Sequence, residues 1–178
     1  MKRLTVLIIL LACTGTFIVN AQKKKPVPFI SITDFAPVYV GVGAIAMPHA
    51  FADRGEAKIL ATIASNKNPP IAAVLSVYNT YFNRPDLPIG VPTGDGVNLP
   101  AKQGWDTMVP ARYPHTLKEN YDAADAVELY RSVLSKQPDN SVTIITVGFL
   151  TNLSNLLYST GDEHSSLSGK DLVKKKVK

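Results

Sequence analysis

Residues 29–53 read FISITDFAPVYVGVGAIAMPHAFAD, and this stretch decides the fold that the sequence predicts. Residues 29–33 are mostly apolar or β-branched, as in a buried strand, and an apolar helix is predicted to start at about Val42. The acidic side chain of Asp34 falls between the two elements. Because open α/β sheets bind ligands beyond the carboxyl ends of their strands, this pattern predicts a ligand site beside Asp34.

The rest of the chain continues the alternation of strands and helices. Compact apolar runs rich in β-branched residues predict strands, and apolar residues spaced three and four apart predict helices. Further strands are predicted at 57–64, 88–91 and 141–147, and further helices at 71–83, 122–137 and 151–158. This spacing is typical of βαβ units, so we expect an α/β fold with a mostly parallel sheet of about four strands and flanking helices.

The second half of the chain carries three further predictions. Glycine and proline interrupt residues 92–121 throughout, so this stretch is predicted to be a long loop. One interpretation is a lid or substrate wall lined by Trp105 and Tyr113, and the alternative is that these two side chains only pin the loop to the body of the domain. Asp122 is predicted to cap the helix that follows this loop. After Tyr158 we expect a polar, lysine-rich tail without a further strand.

The amino-terminal residues 1–21 are predicted to be a secretory signal peptide. Two basic residues precede an apolar run at 4–19, and Ala21 provides the small residue expected before cleavage. An alternative is a bacterial lipoprotein signal in which Cys13 is the lipidated residue. The sequence therefore predicts a secreted or periplasmic protein. No stable membrane span is expected, because the apolar run is shorter than the ~20 residues that a helix needs to cross a bilayer.

The predicted signal peptide leaves residues 22–28 as an exposed lead-in and 29–178 as the folded part. Cleavage would remove the single cysteine, so neither disulfides nor thiolate metal sites are expected. The formal charge of +5 is concentrated at the two ends, since residues 26–170 contain ten basic and thirteen acidic residues. This distribution does not favour a nucleic-acid partner, which would need basic residues spread over a folded face.

Three further stretches carry a recognisable pattern: 42–46 (VGAIA), 64–66 (ASN) and 146–153 (TVGFLTNL). Together with Asp34, and in the same order, they resemble the inosine-uridine-preferring nucleoside hydrolase family. That family opens with an aspartate-rich strand and loop before an apolar helix, and it has a later strand that ends in a G-x-L-T-N turn. The resemblance extends from residue 26 onward, and it implies a nucleoside-hydrolase-like, Rossmann-like fold that is truncated at the carboxyl end.

The resemblance also implies roles for individual residues. Asp34 would be a metal ligand and the general base, and Asn66 would contact the ribose of the substrate. The backbone carbonyl of Val147 would bind Ca²⁺. The other acids of the family are replaced in this sequence by Ile32, Val38, Val40 and Gly41.

The function implied by the resemblance is hydrolysis of the N-glycosidic bond of a small-molecule ribonucleoside. Ribose and free base would be the products, and Ca²⁺ would activate the attacking water. The alternative is a catalytically inactive fragment or pseudoenzyme, a ribose-binding module that has lost the metal site. The number of acids around Asp34 discriminates between the two functions. The preferred base is left open, and a homo-oligomer is a possible assembly.

Overall fold

Five parallel strands and six α-helices alternate in the computed structural model, which describes residues 25–35 and 40–178. The elements in chain order are β1 (Val27–Thr33), α1 (Val40–Asp53), β2 (Ala57–Ala64), α2 (Ile71–Tyr81), β3 (Ile89–Val91), α3 (Trp105–Arg112), β4 (Ala124–Asp125), α4 (Ala126–Ser135), β5 (Thr143–Thr146), α5 (Thr151–Tyr158) and α6 (Gly169–Lys176). A 3₁₀ turn at Asn120–Asp122 precedes β4. The prediction of an α/β fold with a parallel sheet and flanking helices is confirmed.

The strands lie in the order β4-β3-β2-β1-β5. Strand β1 therefore has β2 on one side and β5 on the other. Thr33 at the end of β1 pairs with Ala64 at the end of β2, and Ile32 pairs with Thr146 at the end of β5. Because all of these strands are parallel, their carboxyl ends meet at one edge of the sheet. We call the residues that follow β1, β2 and β5 at this edge the carboxyl edge.

Helices cover both faces of the sheet, and each face has its own apolar core. On one face, α4, α5 and α6 pack against β1 and β2 through Ile30, Ile32, Ala61, Ile63, Tyr130, Leu134, Leu156 and Leu172. On the other face, α1 and α2 contribute to a core of Phe35, Ile45, Ala64, Ile71, Ala72, Val74, Leu75, Ile89 and Val91. Burial of these side chains is the main favourable contribution to folding, at about 25 cal/mol per Å² of apolar surface.

Residues 92–121 are not the continuous loop that the glycine and proline content predicts. The short helix α3 forms between Gly104, which has a φ of 68°, and the extended residue Tyr113. Tertiary packing explains this difference, because the Trp105 ring lies 5.5 Å from the ring of the buried Phe35. Contacts between residues that are distant in sequence stabilise a helix whose own sequence favours a loop.

The helix predicted at 122–137 begins four residues later, at Ala126. Its cap is Asp125, whose carboxylate accepts hydrogen bonds from the backbone N–H groups of Val127 and Glu128 at 2.8 and 3.1 Å. The prediction that Asp122 caps this helix is wrong, because Asp122 closes the preceding 3₁₀ turn instead. The short strand β4, which ends at Asp125, was not predicted.

The carboxyl-terminal tail is also more ordered than predicted. Helix α6 begins after Ser168, whose hydroxyl accepts a hydrogen bond from the backbone N–H of Asp171 at 3.2 Å. Leu172 in this helix is fully buried in the core, while three lysines occupy its last turn. Val177 then forms a parallel bridge with Val142, just before β5. One deeply buried leucine was too weak a periodic signal to predict this helix.

The structure describes only part of the amino-terminal residues to which the predictions apply. The predicted signal peptide, with Cys13, and the first three residues of the lead-in lie outside the described residues. Strand β1 starts at Val27, inside the predicted lead-in, because Val27 pairs with Ala57 of β2. No helix in the described ranges combines the length and apolar character required to cross a membrane.

Candidate functional site

Backbone hydrogen bonds join the three central strands at the carboxyl edge. The N–H of Ser65 donates to the carbonyl of Thr33 at 2.8 Å, which ties the end of β2 to the end of β1. The N–H of Val147 donates to the carbonyl of Ile32 at 3.0 Å, which ties the end of β5 to the other side of β1. Asp34 thus follows directly after the central strand of the three, and the ends of β2 and β5 lie on either side of that strand.

The turn after β5 lies directly against the end of β1, and Gly148 makes this contact possible. A Cβ atom at Gly148 would lie 2.6 Å from the backbone nitrogen of Asp34 and 2.2 Å from Oγ of Ser65. Any side chain here would therefore push the turn away from β1. The hydroxyl of Ser65 also accepts a hydrogen bond from the N–H of Phe149 at 2.9 Å. The structure accordingly brings two of the predicted site residues, Asp34 and Val147, to adjacent positions.

The carboxylate of Asp34 is buried and only partly satisfied. The residue is 8% exposed, and its Oδ1 atom has no hydrogen-bond partner among the residues that the structure describes. Burial raises the pKa of this carboxyl above its ordinary value, while the backbone N–H groups of Asp34 and Phe35 act in the opposite direction. A buried polar atom without a partner requires an explanation, and a bound ligand or ion is one such explanation.

Two more buried oxygen atoms at this edge have no partner in the described part of the chain. They are Oγ1 of Thr33 and Oδ1 of Asn152, both on residues that are at most 1% exposed. The amide nitrogen of Asn152 donates to the carbonyl of Ala64 at 2.6 Å, which fixes the side chain against the end of β2. Each of these oxygens, like Oδ1 of Asp34, is able to accept a hydrogen bond from a hydroxyl group.

The backbone next to Asp34 is strained. Phe35 has a φ of 46°, in the left-handed region that bulky residues rarely adopt. Its fully buried ring packs against the rings of Tyr78 at 4.9 Å and Trp105 at 5.5 Å, and this packing holds the unfavourable backbone in place. Such strain occurs preferentially at functional sites, so Phe35 is a second, independent reason to place a site beside Asp34.

The predicted ribose-contacting residue, Asn66, follows the neighbouring strand β2. Its amide nitrogen donates to the carbonyl of Leu99 at 2.7 Å, and its Oδ1 accepts from the N–H of the same residue at 3.0 Å. Oδ1 also accepts from the N–H of Asn68 at 3.2 Å. The amide of Asn66 is therefore used to hold the segment around Leu99 against the sheet, and no described contact joins it to Asp34.

The positions at which the resemblance leads one to expect further acids differ in their burial. Ile32 lies in the apolar core with no exposure, whereas Val40 is exposed in the first turn of α1. Gly41 is buried, and a Cβ atom there would lie 2.7 Å from Oγ1 of Thr33. The close approach of α1 to β1 thus leaves no room for an acidic side chain at this position. Val38 lies outside the described residues.

This donor set does not fit calcium. Calcium takes six to eight oxygen ligands, and its affinity depends on the number of carboxylates. The ends of β1, β2 and β5 supply one described carboxylate, Asp34, in addition to the carbonyl of Val147 that the resemblance assigns. With the core residue Ile32 and the confined Gly41 in place of acids, these residues fall well short of a calcium site.

An apolar cavity of about 390 Å³ lies beside the edge, between α1 and strands β1 and β5. Val147 lines it, together with Met47 and Phe51 of α1. Such a lining offers few hydrogen bonds, so this cavity does not recognise a ribose by itself. The polar groups that could do so are those of the carboxyl edge.

Sequence reasoning assigned no role to Ser65 or Asn152, although both help to build the site. Each lies inside a stretch that was singled out, 64–66 and 146–153. The signal that could have identified them is a small polar residue flanked by buried apolar ones at the end of a strand or the start of a helix. Their hydrogen bonds to another element explain their burial.

Comparisons with known proteins do not assign the chain to a family. No protein-family model matches this sequence, and no curated protein is significantly similar to it. The geometry of the carboxyl edge and the short sequence motifs are therefore the observations that bear on function.

Proposed function

We propose that the chain is a nucleoside-hydrolase-like protein that binds a ribonucleoside at the carboxyl edge and cleaves its N-glycosidic bond. The observation that carries this proposal is the carboxylate of Asp34: it is buried, its pKa is raised, and its Oδ1 has no hydrogen-bond partner within the described ranges. Oδ1 of Asn152, which has no partner in the described part of the chain, would accept a hydrogen bond from a ribose hydroxyl.

Asp34 is proposed to act as the general base. Water attacks the anomeric carbon of the ribose and transfers a proton to the carboxylate of Asp34, while the electron pair of the C–N bond leaves with the nucleobase. The departing nucleobase takes up a proton from solvent, and Asp34 releases its proton to solvent before the next cycle. A raised pKa suits this role, since a base works best when its pKa is close to the working pH. The proposal involves no step through calcium, because the described donor set does not fit that ion.

The second candidate function is ribonucleoside binding without hydrolysis. The observation that favours it is the confinement of Gly41 against Thr33, which prevents any acidic side chain from joining Asp34 at this point. The buried isoleucine at position 32 removes a second acid. A lone carboxylate can still accept hydrogen bonds from ribose hydroxyls, so binding survives even where water activation fails.

Release of free base from inosine and uridine by the purified protein tests the proposal, with and without added Ca²⁺. We expect base release by the wild-type chain, and we expect Asp34→Asn to lower kcat/KM by about 100-fold or more, since general bases contribute 10²–10⁴-fold. Asp95→Asn provides the matched control, because Asp95 is exposed in a loop. This control variant should retain wild-type kcat/KM.

The outcomes separate the two candidates. Binding of inosine without release of base, by a chain whose circular dichroism shows that it is folded, would support the binding function and contradict hydrolysis. Equal turnover by the wild type and Asp34→Asn would exclude Asp34 as the base. The absence of both inosine binding and turnover in the folded protein would contradict both candidates.

A further inference from the structure

Three potential metal-binding side chains converge beside the first turn of α4. Glu128 lies in the first turn of α4, and Glu163 and His164 lie in the segment between α5 and α6. One ligand atom from each residue lies within 4.8 Å of the other two. The Nε2 atom of His164 is 3.8 Å from a carboxylate oxygen of each glutamate. None of these residues belongs to the carboxyl edge.

The imidazole of His164 provides an observation independent of the two acids. Its side chain is 23% exposed, but the Nε2 atom itself is enclosed and has no hydrogen-bond partner among the described residues. This atom points to the space between the two carboxylates. A ring nitrogen without a hydrogen bond is the atom through which a neutral histidine binds a metal ion.

A buried ion pair fixes the turn that carries His164. Arg131 of α4 is almost fully buried, and its guanidinium donates to both carboxylate oxygens of Asp162 at 2.6 and 3.0 Å. Oδ1 of Asp162 in turn accepts from the backbone N–H groups of His164 and Ser165 at 3.1 and 2.9 Å. Arg131 and Glu128 are one helical turn apart on α4, so the same helix that supplies a ligand also holds the turn in place.

We propose that Glu128, Glu163 and His164 form a zinc site that ties the turn at 162–165 to α4. One imidazole and two carboxylates suit Zn²⁺, which commonly binds three protein ligands and a water, whereas Ca²⁺ and Mg²⁺ prefer oxygen ligands alone. Tetrahedral zinc with ligand distances near 2.0 Å separates ligand atoms by roughly 3.3 Å. The glutamate side chains are 59% and 82% exposed, so both are free to close this gap by rotation.

Calorimetric titration of ZnCl₂ into the purified, tag-free and metal-free chain tests this site. We expect one zinc ion per chain and a zinc-dependent rise in Tm, since an ion that binds the folded state stabilises it. His164→Asn and Glu128→Gln should each weaken zinc binding by about tenfold or more. His115→Asn is the matched control and should bind zinc as the wild type does. Ca²⁺ and Mg²⁺ should not displace the zinc.

A different result would identify the cluster as an ordinary ion-paired group. No zinc binding by the folded wild-type chain would overturn the proposal, as would unchanged affinity in His164→Asn. Glu128 lies on the exposed surface of α4, so Glu128→Gln keeps the test informative if the histidine variant fails to fold. Neither result depends on the proposed nucleoside hydrolysis.

Discussion

Replacement of Arg131 by methionine is expected to lower the free energy of unfolding by about 2–3 kcal/mol, because it leaves the partly buried acceptors of the guanidinium without a hydrogen bond. The guanidinium is 2% exposed and makes five hydrogen bonds. Two reach the carboxylate of Asp162, and the others reach the hydroxyl of Ser159 and the carbonyls of Ser165 and Leu167. Methionine fills the space but leaves all of these groups without their donor.

Urea denaturation of Arg131→Met and the wild type measures this loss. Arg112→Met serves as the control, because Arg112 is exposed at the end of α3, and it should change stability by no more than about 0.5 kcal/mol. A loss of less than about 1 kcal/mol in Arg131→Met would show that the ion pair does not anchor the segment between α5 and α6.

The pH dependence of the stability difference between the wild type and Arg131→Met provides a further check. Hydrogen bonds from Arg131 lower the pKa of Asp162 to about 2. A carboxyl with a lowered pKa stabilises the folded state above its ordinary pKa of 3.8, and this stabilisation disappears as the pH falls towards 2. The stability difference between wild type and Arg131→Met should therefore be constant near neutral pH and shrink below about pH 4.

Replacement of Gly148 by alanine is expected to destabilise the protein by about 1–3 kcal/mol, as overpacking of a filled site does. The added methyl group would meet the backbone of Asp34 at 2.6 Å, and backbone cannot rotate away as a flexible side chain can. The turn after β5 must move, which separates Gly148 from the backbone of Asp34 and displaces Asn152. We therefore expect inosine binding to weaken by about tenfold or more in the same variant.

Gly43→Ala is the matched control for this prediction. Gly43 lies on the exposed side of α1, and an added Cβ would meet no atom within 4 Å. Because alanine favours a helix over glycine by up to about 1 kcal/mol, this variant should be as stable as the wild type or more so. Wild-type stability and wild-type inosine binding in Gly148→Ala would show that the turn does not depend on close contact with β1.

The sequence predicted the fold correctly because its strongest signals are local. Strand β2 and helix α5 have regular apolar patterns, and both form where predicted. The parts that differ depend on contacts between distant residues. Helix α3 requires packing of Trp105 on Phe35, and α6 requires burial of Leu172, neither of which a local pattern reveals.

The same distinction applies to the candidate site. The proximity of Asp34 and Val147 could be predicted, since parallel strands place their carboxyl ends together. The hydrogen bonds of Asn66 could not, because its partner Leu99 belongs to a segment 33 residues away. Likewise, the lack of space beside Gly41 follows from the approach of α1 to Thr33, which only the three-dimensional structure shows.

Calorimetric titration of inosine and of 2′-deoxyinosine into the wild type and Asp34→Ala tests whether the carboxyl edge around Asp34 binds the ribose of a ribonucleoside. We predict that inosine binds the wild type, that 2′-deoxyinosine binds more weakly, and that Asp34→Ala weakens inosine binding by about tenfold or more. Equal inosine affinity in the wild type and Asp34→Ala, or no inosine binding by the folded wild-type chain, would contradict the claim.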